Sequence, residues 1–323
     1  MNDPLSLSAR QRTAFRKKLL AWFAEHARDL PWRRSRDPYR VWLSEVMLQQ
    51  TTVAAVKPYF ERFIAAFPQV QDLAAADEQQ VLRMWEGLGY YRRARGLLAA
   101  AKKIVAEFDA AFPRDVPTLM TLPGVGRYTA GAVASIAFDA KAPIVEANTI
   151  RVLSRLVGYR EDPLRTAGQK LLWRVAEDLL PDSDVARFNQ AMMELGSLVC
   201  TPQAPKCRAC PVATYCAANR LSLQDQIPAA TRRLEFTAVR EAAVVVRSNG
   251  SVLMRQCPAG ERWEGLWDFP RFPIDAEGPL FVAEELAKKV REQTGVAVAA
   301  EAAGRNRHRG PLRPQLRMGR PGR

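Results

Sequence analysis

No stretch of this chain approaches the run of about 18 consecutive apolar residues that a membrane-spanning helix requires. Its opening residues, MNDPLSLSAR, have no apolar core of the kind a secretory signal needs. Cysteine is scarce: there are five in 323 residues, and four of them fall in the window 200–216. That clustering speaks for metal binding in a reducing compartment rather than for disulfides. Acidic residues are missing from 305–323, which holds seven arginines and so supplies +7 of the formal net charge of +14. The remaining +7 is spread over residues 1–304, a mildly basic body that does not define a polyanionic partner by charge alone. The length suffices for two domains, each with its own core.

The most informative segment is 118–156. An apolar helical turn breaks at Leu122-Pro123-Gly124-Val125-Gly126, and a small-residue helix restarts at Arg127. Two glycines around one Val free the backbone for positive φ, which predicts a tight hairpin between helices. Amides just ahead of a helix N-terminus lack intrahelical partners and suit a phosphate oxygen. Alone this would be an αα-turn of any helical protein. Here it is followed by Ile144-Val145-Glu146-Ala147-Asn148-Thr149, an acid and an amide opening another helix. The combination resembles the helix-hairpin-helix DNA glycosylases, the superfamily of endonuclease III and MutY.

Ser8–Leu30 reads as an amphipathic helix with Phe15, Leu19, Trp22 and Phe23 on one face, followed by the basic aromatic loop Leu30-Pro31-Trp32-Arg33-Arg34. Residues 41–52 form the next helix. Trp42, Leu43, Val46 and Met47 make its buried stripe, with Glu45 and Gln49 one turn apart on a neighbouring face. A glutamate hemmed in by Trp42, Val46 and Leu48 is desolvated, which favours its protonated form; a solvated helix Glu is the plainer alternative. Further helices fill 56–112, broken near Phe67-Pro68 and at Trp85–Tyr91. The run Gly87-Leu88-Gly89-Tyr90-Tyr91-Arg92-Arg93-Ala94-Arg95 sets aromatics beside arginines. It reads equally as a wedge into a base stack or as a capping turn with a solvated basic face. Helices are expected at 166–180 and 185–200.

The spacing Cys200-x6-Cys207-x2-Cys210-x5-Cys216 gathers four soft ligands in one loop. It suits an iron–sulfur cubane, or a four-cysteine zinc site that has only one of the usual two CxxC knuckles. Residues 220–236 are polar and read as a linker. Beyond them, apolar segments flanking Ser248-Asn249-Gly250-Ser251 predict a hairpin, and a helix follows around Ala283–Thr294. The tail 305–323 shows no strand or helix periodicity and is expected to be disordered.

The resemblance extends from about Leu30 to Cys216 and resumes weakly over 242–296. It implies a mainly α helix-hairpin-helix glycosylase domain over 1–219, a linker at 220–236 and a smaller, partial α+β Nudix-like domain over 237–304. It also implies a [4Fe–4S] cluster on Cys200, Cys207, Cys210 and Cys216. LSEVMLQQT matches the MutY segment that carries the catalytic acid, here Glu45, which endonuclease III lacks. By the same resemblance Glu146 stabilises the sugar cation, Asn148 orients it and Tyr128 supports the transition state. Trp32, Arg33, Gln49, Gln50, Thr51, Tyr90, Gly124, Gly126 and Gln190 would meet the base or the DNA. Two departures stand out. The family has Asp where Glu146 stands, and Lys289 and Gln293 replace two of the metal-binding acids of a working Nudix helix.

The implied reaction is hydrolysis of the N-glycosidic bond of adenine mispaired with 8-oxoguanine or guanine in double-stranded DNA. A monomer acting in the bacterial cytoplasm, on the nucleoid, is expected. Cleavage of a glycosidic bond needs an acid for the leaving base and a negative group for the cationic sugar, and Glu45 and Glu146 offer that pair. Endonuclease III carries a Schiff-base lysine two residues after the second hairpin glycine; Tyr128 there cannot form the adduct. A glycosylase/lyase acting on pyrimidine lesions and a non-catalytic iron–sulfur DNA-binding module are the alternatives.

Overall fold

The computed structural model describes residues 7–229, 239–261, 263–274, 279–301 and 315–318. The chain divides into two compact units, Met1–Arg232 and Arg233–Arg323. The first is helical: α1 (Ala9–His26), α2 (Pro38–Leu48), α3 (Val53–Ala66), α4 (Val70–Ala75), α5 (Glu78–Trp85), α6 (Arg92–Phe108), α7 (Val116–Leu119), α8 (Arg127–Phe138), α9 (Ala147–Val157), α10 (Thr166–Leu179), α11 (Val185–Leu198) and α12 (Ala217–Arg220). Local chemistry sets the boundaries. Ser8 and Gln11 close a reciprocal capping box on α1, and Asp37 caps α2 with Pro38 in its first turn. α1 stops at His26, short of the expected Leu30. Pro31 keeps Leu30 extended, and the Arg28 amide donates to Glu194 at 2.9 Å instead of continuing the helix.

Two apolar assemblies hold this unit together. In one, Phe15, Leu19 and Phe23 of α1 meet Leu153, Leu172, Phe188 and Leu195 of α9, α10 and α11. Each such buried side chain contributes about 1.5–3 kcal/mol. In the other, Phe63 packs edge-to-face on Phe67 and Trp85, and Trp42 does so on Phe112. α2, α8, α9 and α11 pack against one another between these assemblies, and their contact zone holds the site. Gly196 lets α11 lie close to the start of α9, because a Cβ there would sit 2.7 Å from the Asn148 Cβ and 3.0 Å from its carbonyl oxygen.

The hairpin between α7 and α8 is present, but only one of its glycines adopts positive φ. Gly124 is left-handed at +74° and lies against the Gly96 backbone of α6. Gly126 is extended (φ −89°, ψ 175°) and is the N-cap of α8, without a capping side chain. A two-residue reversal needs one left-handed residue here; the second glycine instead leaves the amide end of α8 bare.

The first part of the expected linker is packed rather than extended. Leu223 and Ile227 bury against Ala218, and Arg155 donates to the Ile227 carbonyl at 2.7 Å. Residues 230–238 lie outside the described residues. The second unit is a small α+β assembly of β1 (Glu241–Ala243), β2 (Val245–Ser248), β3 (Ser251–Val252), β4 (Arg255–Gln256), β5 (Trp267–Asp268), β6 (Arg271–Pro273), α13 (Pro279–Thr294), β7 (Val298–Glu301) and β8 (Gln315–Met318). Its core joins Val244, Val246 and Phe272 to Leu286 and Val290 of α13. The predicted hairpin forms, with Asn249 and Gly250 left-handed between β2 and β3.

The disordered tail expected at 305–323 is corrected where it is described. Gln315–Met318 is a strand, parallel to β2 and antiparallel to β7. The open backbone edges of β2 and β7 need partners, and a four-residue segment of alternating polarity supplies them without any longer periodicity. The rest of that tail lies outside the described residues.

Candidate active site

A cavity of about 920 Å³ opens where α2, the turn after it, α8, α9 and α11 converge. Trp32, Arg33, Glu45, Gln49, Gln50, Thr51, Tyr128, Glu146, Asn148 and Gln190 all line it. Tyr90, Gly124 and Gly126 do not. Tyr90 stands exposed at a loop tip. Gly124 borders a separate groove with Arg92, Arg93 and Pro123.

Glu45 projects from α2 into the cavity and is 5 % exposed. Burial pushes its carboxyl up to about 7; the hydrogen bond from Tyr128 and the positive charge of Arg33 pull down, and the charge of Glu146 pushes up. It is therefore poised between acid and base near neutrality. Tyr128 of α8 donates to Oε2 of Glu45 and lies 3.6 Å from the Met193 sulfur. Burial, reinforced by the two carboxylates, raises the phenol well above its ordinary value, so Tyr128 stays a donor.

Glu146 is the N-cap of α9. Its Oε2 accepts from the Asn148 amide at 2.8 Å and from Asn148 Nδ2 at 3.2 Å, and its Oε1 accepts from the Thr149 amide at 2.9 Å. Thr149 Oγ1 accepts from the Glu146 amide in return, closing a capping box. Burial raises the Glu146 pKa, and these amide hydrogen bonds and the nearby Arg151 charge oppose it. The longer side chain folds back onto its own helix, so the carboxylate remains at the positive end of α9.

Several residues of the site were not singled out from sequence. Glu194, buried at the cavity wall, accepts from Arg28 at 2.8 and 2.7 Å and from Arg33 at 3.0 Å. Burial pushes its pKa up, but the two guanidinium groups outweigh this and hold it at about 2. Arg33 is thus committed to Glu194 rather than free for phosphate. Trp32 is likewise buried, edge-on to Phe60, and forms cavity wall rather than an open stacking platform. A signal for Glu194 existed: it lies one helical turn from Gln190 amid Met, Ala and Leu, where a charge needs a partner. Arg151 links Asn148 Oδ1 at 3.0 Å with the carbonyls of Gly196 at 2.7 Å and Cys200 at 2.6 Å.

The cysteine loop follows α11. Cys200, Cys207, Cys210 and Cys216 carry no disulfide. Arg155 spans the loop, donating to Cys200 Sγ at 3.3 Å and to the carbonyls of Thr201 and Pro202. Burial pushes the Cys210 thiol up to about 12, with the charges of Cys200, Cys216 and Cys207 adding to it. Among the described residues, no three His, Cys, Asp or Glu side chains converge on a single ion. No helix of the described residues is long and apolar enough to cross a membrane.

The hairpin, the bare helix end beside it and a cavity holding a protonatable acid with a second carboxylate define a helix-hairpin-helix base-excision repair protein. Residues 43–178 match the HhH-GPD superfamily of base excision DNA repair proteins. The chain is 43% identical over 271 residues to the adenine DNA glycosylase of Mus musculus, covering 80% of this chain and 51% of that protein. It is 35% identical over 259 residues to the adenine DNA glycosylase of Buchnera aphidicola subsp. Schizaphis graminum (strain Sg), covering 80% and 75%. The chain belongs to the adenine DNA glycosylase family of the HhH-GPD superfamily. A solved thermostable thymine-DNA glycosylase shares the helical fold at 29% identity and a TM-score of 0.60, over 66% of this chain and 98% of that one. This chain spans about half the length of its mammalian relatives.

Proposed function

We propose that this protein is a monofunctional DNA glycosylase that removes adenine mispaired with 8-oxoguanine or guanine in double-stranded DNA. The observation that carries this reading is the pairing, in one cavity, of an acid poised near pH 7 with a carboxylate held by backbone amides. The adenine leaves the stack and enters the cavity, at an unpairing cost lowered by the mispair. As the bond from C1′ to N9 breaks, its electron pair goes to the base, and Glu45 delivers its proton to N7. The Glu146 carboxylate faces the positive sugar, with Asn148 fixing its angle. Water then adds to C1′ and returns a proton to Glu45, restoring the acid.

Tyr128 keeps the reaction free of a covalent lyase step, since it brings a phenol and no amine to the cavity. The bare amides of the hairpin at Gly124 and Gly126 suit the DNA backbone, and exposed Tyr90 suits insertion into the base stack. The four loop cysteines suit a [4Fe–4S] cluster. Burial pushes the thiols of Cys207, Cys210 and Cys216 up, towards the protonated form, and soft metal ions are what convert such groups to thiolates. The spacing offers only one of the two CxxC knuckles usual for a four-cysteine zinc site, which favours the cluster. Cys200, Cys207, Cys210 and Cys216 would hold the cluster, which would cross-link residues 200–216 and supply no acid, base or nucleophile to base release. The second unit is read as Nudix-like without hydrolase activity, because Lys289 pairs with Glu285 at 2.5 Å where a metal-binding acid belongs.

Single-turnover base release from duplexes carrying A:8-oxoguanine, A:G and an oxidised pyrimidine tests the reading. Adenine release from the first two, leaving intact abasic strands, supports it. Cleavage of the pyrimidine lesion would replace it with a lyase, and binding without release from any duplex would leave a DNA-binding module.

A further inference from the structure

Of the arginines at 92, 93 and 95, Arg92 is exposed and the other two are half-buried. Arg95 pairs with Glu78 at 2.9 Å, and Arg93 is turned inward. Arg93 Nη1 donates to the carbonyls of Val46 at 2.8 Å, Met47 at 2.9 Å and Gln49 at 2.6 Å. Nη2 donates to Thr51 Oγ1 at 3.2 Å and reaches the carbonyls of Leu88 at 3.4 Å and Gly89 at 3.2 Å. The guanidinium also stacks 5.3 Å from the Trp85 ring and 5.5 Å from the Tyr90 ring.

These partners come from two places far apart in sequence. Val46 and Met47 give the orphan carbonyls at the end of α2, the negative end of the helix that carries Glu45. Gln49 to Thr51 form the turn that walls the cavity, with Gln50 left-handed at φ 57°. Leu88 to Tyr90 form the other turn, with Tyr90 left-handed at φ 52° and its ring exposed. Neither left-handed residue is a glycine, and such strain persists only where the surroundings over-determine it. One planar cation does this for both turns at once. A lysine, with three donors at a single point, cannot span the same acceptors.

We propose that Arg93 is a positioning residue that locks the Tyr90 turn to the end of the Glu45 helix, so that the inserting aromatic and the cavity receiving the extruded base keep one fixed spacing. This rests on the glycosylase reading above. Losing Arg93 leaves Glu45 on its helix but frees the cavity-wall turn from the Tyr90 turn, and so uncouples insertion from capture.

The test uses the full chain with Arg93→Lys, Arg93→Ala, Tyr90→Ala and the Arg93→Lys/Tyr90→Ala pair. Extrusion is followed by the fluorescence of 2-aminopurine placed opposite 8-oxoguanine, and chemistry by single-turnover adenine release. Arg93→Lys is expected to bind undamaged duplex within about threefold of the parent, yet to lose roughly 30-fold or more in extrusion and release. In the Tyr90→Ala background the same change costs less than about threefold, because the element it positions is gone. Millimolar guanidinium chloride restores Arg93→Ala at least roughly tenfold and leaves Arg93→Lys unchanged. Full activity of Arg93→Lys, or additivity with Tyr90→Ala, overturns the proposal. If Arg93→Ala does not fold, Arg93→Lys and the double variant decide it. A parent chain that releases no adenine sinks the glycosylase reading instead, whereas an active parent with an unimpaired Arg93→Lys sinks this inference alone.

Discussion

Tyr128 donates its hydroxyl hydrogen to Glu45 across 83 positions of sequence, from the first turn of α8 to the face of α2. The phenol donates more strongly to the carboxylate than it bonds the neutral acid, so it favours the ionised form of Glu45. Replacing Tyr128 with Phe leaves the Glu45 carboxylate without that donor. Base release should slow by about 10- to 100-fold, with the alkaline limb of the pH profile moving upward. An unmoved limb would place Tyr128 outside the protonation of Glu45.

The two carboxyls fix a bell-shaped rate profile. In the proposed mechanism release needs Glu45 protonated, so the single-turnover rate should fall as pH rises through about 7. It also needs Glu146 ionised, so the rate falls on the acid side through a pKa above the ordinary 4.5. A flat profile between pH 5 and 9 would contradict both assignments.

Glu45 should trade stability for function. Its folded pKa lies above the unfolded 4.5, so the stability linked to its proton is complete below 4.5 and is lost as pH rises through about 7. Glu45→Gln removes that loss. At pH 8 the variant should unfold later than the parent by on the order of 3 kcal/mol, and near pH 4 the two should nearly coincide. Base release by the variant should fall by roughly 1,000-fold or more. Equal melting curves at pH 8 would show that the carboxylate is better solvated than its burial implies.

Glu146→Gln removes the charge and keeps only one of the two capping oxygens, and should nearly abolish release at pH 6.5. Glu146→Asp keeps the charge and offers the more usual capping length, so it should remain within about tenfold of the parent. Single-turnover kinetics of the two variants check both statements. Unchanged release by Glu146→Gln would remove this carboxylate from the mechanism.

Purified anaerobically, the protein should contain about four irons per chain, and chelation should expose 200–216 to protease before the rest of the helical unit. One zinc per chain would replace the cluster by a structural ion.

Much of the site was legible because it is written in contiguous motifs: Glu45 with Gln49 one turn on, Glu146 with Asn148 at a helix start, four cysteines in one loop. The hairpin at 122–126 and the strand turn at Asn249-Gly250 were legible for the same reason, since glycine chemistry is local. The Arg28–Glu194–Arg33 cluster was not, because its partners are separated by 161 positions or more. A charged residue announces that it needs a partner, not which one. Arg93 was concealed differently: in a run of basic residues nothing in the pattern tells an inward guanidinium from a solvated one. The packing of 221–229 and the strand at 315–318 depend on what neighbouring segments leave unfilled, which no local periodicity records.

Gly196 makes no contact with a substrate, yet a methyl group there would collide with Asn148 and push the start of α9 away. One missing methyl group thus sets the depth to which Asn148, and the carboxylate it steadies, can sink against α11.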